Sequence, residues 1–405
     1  MRILFLPKLL PRADIIGGPI LIYHRIKNLS LMGHRITLIA PSYTEADRKD
    51  ESLKPFCERI IRVDSTRNRS HEEIEALYAR LNRPRFFLTG DGGFSHEIDE
   101  AFRTILEEEH FDAIIAEYSI MGQYIESNQH LIPDDTMKVI SVHECYTKAF
   151  ELRREKGEEI DEETIEELSE YEFRMYSAAD RILCLTPEDA EIITGYSPGL
   201  RDKIRIVPHG VDTSFYTPPR EDRLKRGTKN ILYIGNFEHY PNVDAILNFM
   251  KHCWDTIVDA VPDARFYAVG FNPPEELLRL RSENVVVREG GDNESIRQTY
   301  WDSDIFVAPI ALGTGFRGKL LEAMACSLPV VATRLAVFGI NPRHGRDMFV
   351  TDDYGEFARY VIMLLEDLKL RSLMGENALR LARRFDHRHA AEKLERVLKE
   401  KTMEG

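Results

Sequence analysis

Apolar residues in this chain alternate between short continuous runs and stretches where they recur every three or four positions. The first run, RILFLP at 2–7, reads as a buried strand. It is followed by IGGPILIYHRIKNLSLMGH, in which Gly17 and Gly18 precede Ile22, Ile26 and Leu29 at helical spacing, and then by the strand-like RITLIAP. This is a strand, glycine loop, helix and strand unit of a parallel sheet. FDAIIAEYS, MKVISVHE, ADRILCLTP and IRIVPHG continue the strands, with helices expected over 95–110, 118–130, 160–178 and 187–195. A polar, proline-containing stretch, VDTSFYTPPREDRLKRGTK, interrupts the pattern, and the alternation then restarts. NILYIGNF, ARFYAVG, VVVREG, DIFVAPI and LPVVAT read as strands. NVDAILNFMKHCWDTIVDAV, 293–302, 319–326, 355–366, 368–384 and 387–402 read as helices. Two successive alternations predict an α/β protein with two Rossmann-like domains, divided near 208–226.

Composition narrows the function. The 405 residues suffice for two ordinary domains, and the net charge of -14 argues against nucleic acid as a partner. Residues 151–172 hold eleven acids against three bases, whereas 48–85 carry ten Lys/Arg against seven Asp/Glu. The basic stretch is either solvated surface or a contact for an anionic substrate or membrane face. Cys57, Cys145, Cys184, Cys253 and Cys326 show no CxxC spacing, which fits packed thiols in a reducing compartment. The opening MRILFLPKLLPRAD lacks a long apolar core and a small-residue cleavage site, and no run reaches eighteen apolar residues. The expected location is cytoplasmic, with peripheral membrane contact through 48–85 left open.

The densest chemistry lies in GTGFRGKLLEAMACSLPVVA, residues 313–332. Gly313, Thr314, Gly315, Phe316, Arg317 and Gly318 form a glycine-rich turn, and Lys319 opens an amphipathic helix with Glu322 in its first turn. Close-set glycines expose backbone N–H groups, and a helix N-terminus adds partial positive charge. With the full charges of Arg317 and Lys319, the loop suits a phosphate or diphosphate, while Glu322 suits hydroxyls such as those of a ribose. A merely charged helix end is the alternative. Elsewhere, Gly17 and Gly18 shape either a substrate approach or an ordinary turn. Gly235 and Asn236 follow the first strand of the second half, and Asn242 suits the next helix cap.

His143 follows the run VISV, where a strand should end at a ligand-facing loop. Its imidazole can hydrogen-bond a sugar hydroxyl or assist proton transfer, with Glu144 as the expected orienting group. A packed histidine is the alternative. Glu117 ends the strand AIIAE and is a weaker binding candidate. Asp302, Ser303 and Asp304 read as turn residues rather than metal ligands, and no cluster has convincing metal-ligand spacing. The Gly17–Gly18 turn lacks the GxGxxG spacing of a dinucleotide fingerprint, which disfavours a nicotinamide enzyme.

At these residues the chain resembles the family 4 glycosyltransferases. ILYIGNFEHYPNVDAI, a strand ending in Gly270, SDIFVAPI and GTGFRGKLLEAMACSLPVVAT occur in the family's order, and IVPHGVDTSFY resembles its interdomain region. The resemblance spans nearly the whole chain and is strongest over 231–385. It implies the GT-B fold, with two Rossmann-like domains facing a central cleft. Residues 1–208 would be the acceptor-side domain, 209–385 the donor-binding domain and 386–405 a helix crossing back to the first. It also implies a retaining, metal-independent transferase that uses no cofactor. Such an enzyme moves a sugar from a nucleotide diphosphate sugar to a hydroxyl acceptor, whether a glycan, a lipid-linked sugar or a small molecule.

By that resemblance, Gly17 and Gly18 match the loop near the donor diphosphate, and His143 matches the histidine that contacts the donor sugar. Glu322 matches the second carboxylate of a Glu-x7-Glu signature. Arg317 and Lys319 match the cations of the Gly-rich loop. Two departures stand out. The first signature carboxylate is replaced by Thr314, and the Arg and Lys common in the family are replaced by Asn236 and Pro241. The diphosphate charge then falls to Arg317 and Lys319, and the donor sugar to backbone N–H groups of 314–316. A GT-B phosphorylase or epimerase and a non-catalytic nucleotide-sugar-binding protein are the competing readings, and donor base, sugar and oligomeric state stay open.

Overall fold

The apolar runs become parallel strands in a computed structural model that describes residues 1–13, 17–65, 68–155, 157–219, 227–313 and 318–400. The chain divides into two units, Met1–Pro208 joined by the C-terminal stretch that begins at Ala390, and His209–His389.

In the first unit, β1 (Arg2–Pro7), β2 (Arg35–Ser42), β3 (Arg59–Asp64), β4 (Ala113–Glu117), β5 (Met137–Val142), β6 (Arg181–Cys184) and β7 (Ile204–Ile206) form one sheet. Its order is β3-β2-β1-β4-β5-β6-β7, with every pairing parallel. Such a sheet is covered by helices on both faces, which explains why β1 and β4 read as unbroken apolar runs. Leu4, Leu6, Ile114 and Ala116 pack into one core cluster, and Ile3, Phe5, Ala113 and Ile115 into the other. The connection leaves β1 towards β2 on one side, while β4 pairs on the other. The carboxyl ends of β1 and β4 therefore flank a topological switch point, where open α/β sheets bind ligands.

The second unit repeats the plan with β8 (Asn230–Asn236), β9 (Arg265–Phe271), β10 (Val285–Glu289), β11 (Ile305–Ala308), β12 (Val330–Ala332) and β13 (Phe349–Val350), in the order β10-β9-β8-β11-β12-β13. Its switch point lies between β8 and β11, beside Gly235 and the loop that leads to Gly313. Gly270 is forced here by packing: a Cβ on it would stand 1.8 Å from the Gly235 carbonyl oxygen.

The final helix, His387–Leu398, places Leu394, Val397 and Leu398 in the first unit's core with Ile3, Phe5, Ile22 and Val207. Burying each such side chain contributes about 1.5–3 kcal/mol. Glu395 bonds His34 at 3.1 Å, and Glu400 binds Arg181 at 2.6 Å and Arg205 at 2.8 Å. Among the described residues, no helix is long and apolar enough to cross a membrane. The five cysteines are free thiols.

Several expectations need correction. β3 escapes the apolar pattern because Arg59 and Arg62 interrupt RIIRVD, as befits an edge strand. Two polar helices, His71–Leu81 and Tyr146–Glu155, were not anticipated. The second is capped from another helix: buried Glu172 accepts hydrogen bonds from the backbone N–H groups of Tyr146 at 3.0 Å and Thr147 at 2.8 Å. The helix expected over 118–130 is broken into short turns, with the helix Gly122–Ser127 between two 3-10 segments. Asn242 is not a cap, because the helix starts at Tyr240 after His239.

Candidate functional site

Gly17 and Gly18 do not follow β1 directly, since residues 8–16 intervene. Gly17 has φ 92° and caps the helix Gly18–Leu31. Gly18 is fixed by close approach: a Cβ on it would lie 1.7 Å from Tyr118 Oη and 3.1 Å from His143 Nδ1. The structure thus brings Gly18 and His143 together and adds Tyr118 between them. The Tyr118 ring stacks on the imidazole at 4.0 Å between centroids. Tyr118 holds φ 77°, a conformation that is strained for a bulky residue, and its N–H donates to the Ser141 carbonyl at 3.0 Å. The Lys8 ammonium lies 4.6 Å from the Tyr118 ring centroid. Burial pulls the Lys8 pKa down against the opposing charges of Asp91 and Glu144.

The group that orients His143 is Glu117, not Glu144. The helix Gly18–Leu31 turns Leu21, Ile22, Ile26 and Leu29 inward, and Arg25 shares that buried face. Arg25 Nη1 reaches both Glu117 oxygens at 2.8 Å and Ser141 Oγ at 2.7 Å. Glu117 Oε2 in turn bonds His143 Nε2 at 2.9 Å. Arg25 and Glu117 side chains are 1% and 0% exposed, and His143 is 7% exposed. Burial alone would raise the Glu117 carboxyl pKa, but Arg25 and the His143 hydrogen bond outweigh it and hold the group ionised, well below the usual range. Burial also lowers the His143 pKa, against the pull of Glu117, so the imidazole is neutral near pH 7. Sequence reading missed Arg25, Ser141 and Tyr118. The available signal was an arginine on the apolar stripe of a helix, which needs a buried partner.

In the second unit, Gly235 and Asn236 end β8 at its switch point. Asn236 Oδ1 accepts the Glu238 N–H at 3.0 Å, and Asn242 Nδ2 donates to the Asn236 carbonyl at 2.8 Å. Asn236 therefore shapes the turn. Gly313 takes φ 89°, and Gly318 opens the helix Gly318–Ala325. Thr314, Gly315, Phe316 and Arg317 lie outside the described residues. Lys319 and Glu322 are joined rather than separate: Nζ donates to the two carboxylate oxygens at 3.1 and 3.0 Å. Tyr300 Oη donates to Glu322 Oε2 at 3.1 Å. Burial and the Glu322 charge together push the Tyr216 phenol pKa up.

Two other candidate regions make contacts within the protein. Asp304 Oδ2 accepts from Thr228 Oγ1 and the Asn230 N–H at 2.8 Å each, and no group of three potential metal ligands occurs among the described residues. In 48–85 the described cations are engaged within the protein. Arg48 pairs with Asp64, Lys49 with Glu45, Lys54 with Glu51, Arg59 with Glu108 and Arg85 with Glu75. Arg62 and Arg69 donate to backbone carbonyls, Arg80 meets His96, and Arg83 meets Gln123. Exposed pairs of this kind add little stability.

Comparison with known proteins agrees with this architecture. Residues 17–215 match the family described as Glycosyltransferase Family 4, and 228–367 match Glycosyl transferases group 1. The D-inositol 3-phosphate glycosyltransferase of Paenarthrobacter aurescens is 28% identical over 319 residues, covering 73% of this chain and 75% of that protein. Sucrose-phosphate synthase from Thermosynechococcus elongatus superposes with a TM-score of 0.74 at 16% identity, covering 100% of this chain and 99% of that one. Anabaena HepE in complex with UDP-glucose gives a TM-score of 0.68 at 14% identity, with 98% and 99% coverage. Two parallel switch-point sheets, the order of motifs and these matches converge: the chain belongs to glycosyltransferase family 4 and is a nucleotide-sugar glycosyltransferase with the GT-B fold.

Proposed function

We propose that the protein transfers a sugar from a nucleotide diphosphate sugar to a hydroxyl acceptor with retention of anomeric configuration. The second unit would hold the donor and the first the acceptor. The observation that carries this reading is the setting of His143, an imidazole held by Glu117 beside a glycine that cannot bear a Cβ, at the carboxyl end of β5 and next to the switch point of the first sheet. HepE has been captured with UDP-glucose and other relatives are named for inositol phosphate transfer, which supports a UDP-sugar donor and a polyhydroxyl acceptor.

The residues divide the chemistry. Backbone N–H groups at the start of the helix Gly318–Ala325 and the Lys319 ammonium face the diphosphate, with Arg317 as a second cation. They stabilise the charge that grows on the leaving group, a task that preorganised donors perform without reorganisation. Glu322 takes the ribose hydroxyls. A carboxylate has about four acceptor sites, and since Lys319, Tyr300 and Tyr216 already bond Glu322, the ribose hydroxyls would displace part of these contacts. His143 holds the donor sugar through a hydrogen bond that tightens as the glycosidic bond breaks. Thr314 stands where a signature carboxylate would be, so same-face attack is favoured, with a donor phosphate oxygen taking the acceptor proton. Lys8 and Tyr118, beside His143, form the acceptor edge.

Glu322→Gln should weaken binding of a ribonucleoside diphosphate and narrow the preference for ribose over deoxyribose. Calorimetry with the two nucleotides checks this. Equal discrimination by wild type and variant would remove the ribose role.

A further inference from the structure

We propose that Glu117 is a positioning residue that fixes the tautomer of His143, leaving Nδ1 as a hydrogen-bond acceptor for a substrate hydroxyl. This rests on the reading of His143 as the residue that touches the sugar.

The argument is one of donors and acceptors. Arg25 carries only donors, and its Nη1 lies 2.8 Å from both Glu117 oxygens. A buried guanidinium at that distance requires an ionised partner, because an unpaired buried charge is costly. An ionised carboxylate accepts and does not donate. The contact between Glu117 Oε2 and His143 Nε2 at 2.9 Å therefore requires the proton on Nε2. A neutral ring with its proton there has a lone pair on Nδ1. That atom has no hydrogen-bond partner among the described residues, and it is the ring nitrogen nearest Gly18, 3.1 Å from where a Cβ would stand. The stacked Tyr118 ring prevents the imidazole from turning over.

The groups facing the imidazole are Glu117 at the end of β4, Arg25 from the helix Gly18–Leu31, Lys8 after β1 and the Tyr118 ring. Both cations disfavour a second proton on the ring. His143 therefore receives a hydrogen bond from a sugar hydroxyl instead of giving one.

The test is the imidazole nitrogen spectrum of the full-length protein labelled with nitrogen-15 histidine, the His143 signals being assigned by their loss in a His143→Gln variant. Near neutral pH, wild type should show a pyrrole-type Nε2 and a pyridine-type Nδ1. The opposite pattern, a mixture of tautomers or an imidazolium would overturn the proposal. In Glu117→Gln, Arg25 claims the amide oxygen and turns the NH2 towards His143, so the proton should move to Nδ1. Turnover should fall roughly 10- to 100-fold with nucleoside diphosphate affinity retained. An unchanged tautomer, or a moved proton with unchanged turnover, would contradict the assignment. If that variant does not fold, the wild-type spectrum still decides. Full activity of His143→Ala would sink the sugar-contact reading instead, and leaves the tautomer result standing.

Discussion

Replacing His143 with alanine is expected to lower turnover by about 10²–10⁴ while leaving nucleotide affinity nearly unchanged. The imidazole sits in the first unit, whereas Lys319 and Glu322, proposed to hold the diphosphate and ribose, sit in the second, so its loss should leave most nucleotide contacts in place. The ring is already oriented by Glu117 and clamped by Tyr118. Its hydrogen bond to the sugar therefore costs little to form and strengthens as charge develops in the transition state. Such an interaction appears in kcat and not in binding of the ground state. Steady-state kinetics with a nucleotide sugar, paired with calorimetry of the nucleoside diphosphate, separates the two. A variant with lower nucleotide affinity and normal kcat would place His143 in ground-state binding.

Lys319→Ala is expected to show the second large effect, a loss of roughly 2–5 kcal/mol in affinity for the nucleoside diphosphate. Lys319 and Glu322 share an ion pair, with side chains 19% and 13% exposed. Removing the ammonium takes away a donor to the diphosphate and leaves the Glu322 charge without that partner. Both changes act against an anionic ligand. Lys319→Arg should recover part of the loss, since the charge returns in a different geometry. Calorimetry on the three proteins checks this, and unchanged affinity in the alanine variant would remove Lys319 from the diphosphate site.

How far the sequence could be read depended on what kind of information each feature carries. Strands buried on both faces leave largely apolar runs, so β1, β4, β5, β8 and β11 were all legible. β3 was not, because an edge strand tolerates the arginines that mask it. The Gly-rich turn and the histidine after VISV were also legible, since both lie within a few residues of a strand end. What escaped was long-range. Nothing local to Arg25 points to Glu117, ninety-two positions away, and nothing local to Gly18 points to Tyr118. Sequence proximity favours Glu144, the adjacent carboxylate, over Glu117, which β4 brings alongside β5. The Lys319 and Glu322 pair shows the opposite case. Its three-residue spacing on a helix places the two side chains on one face, so their contact could have been read from the sequence alone.

The central claim is that the protein moves a glycosyl group from a nucleotide diphosphate sugar with retention. The most direct measurement incubates the full-length protein with a panel of nucleotide sugars and hydroxyl acceptors, selects productive pairs by mass spectrometry, and reads the anomeric configuration of the product by proton NMR. The account predicts transfer from at least one donor, with the product keeping the donor's anomeric configuration. An inverted product, or a covalent sugar–enzyme adduct trapped in wild-type protein, would contradict it.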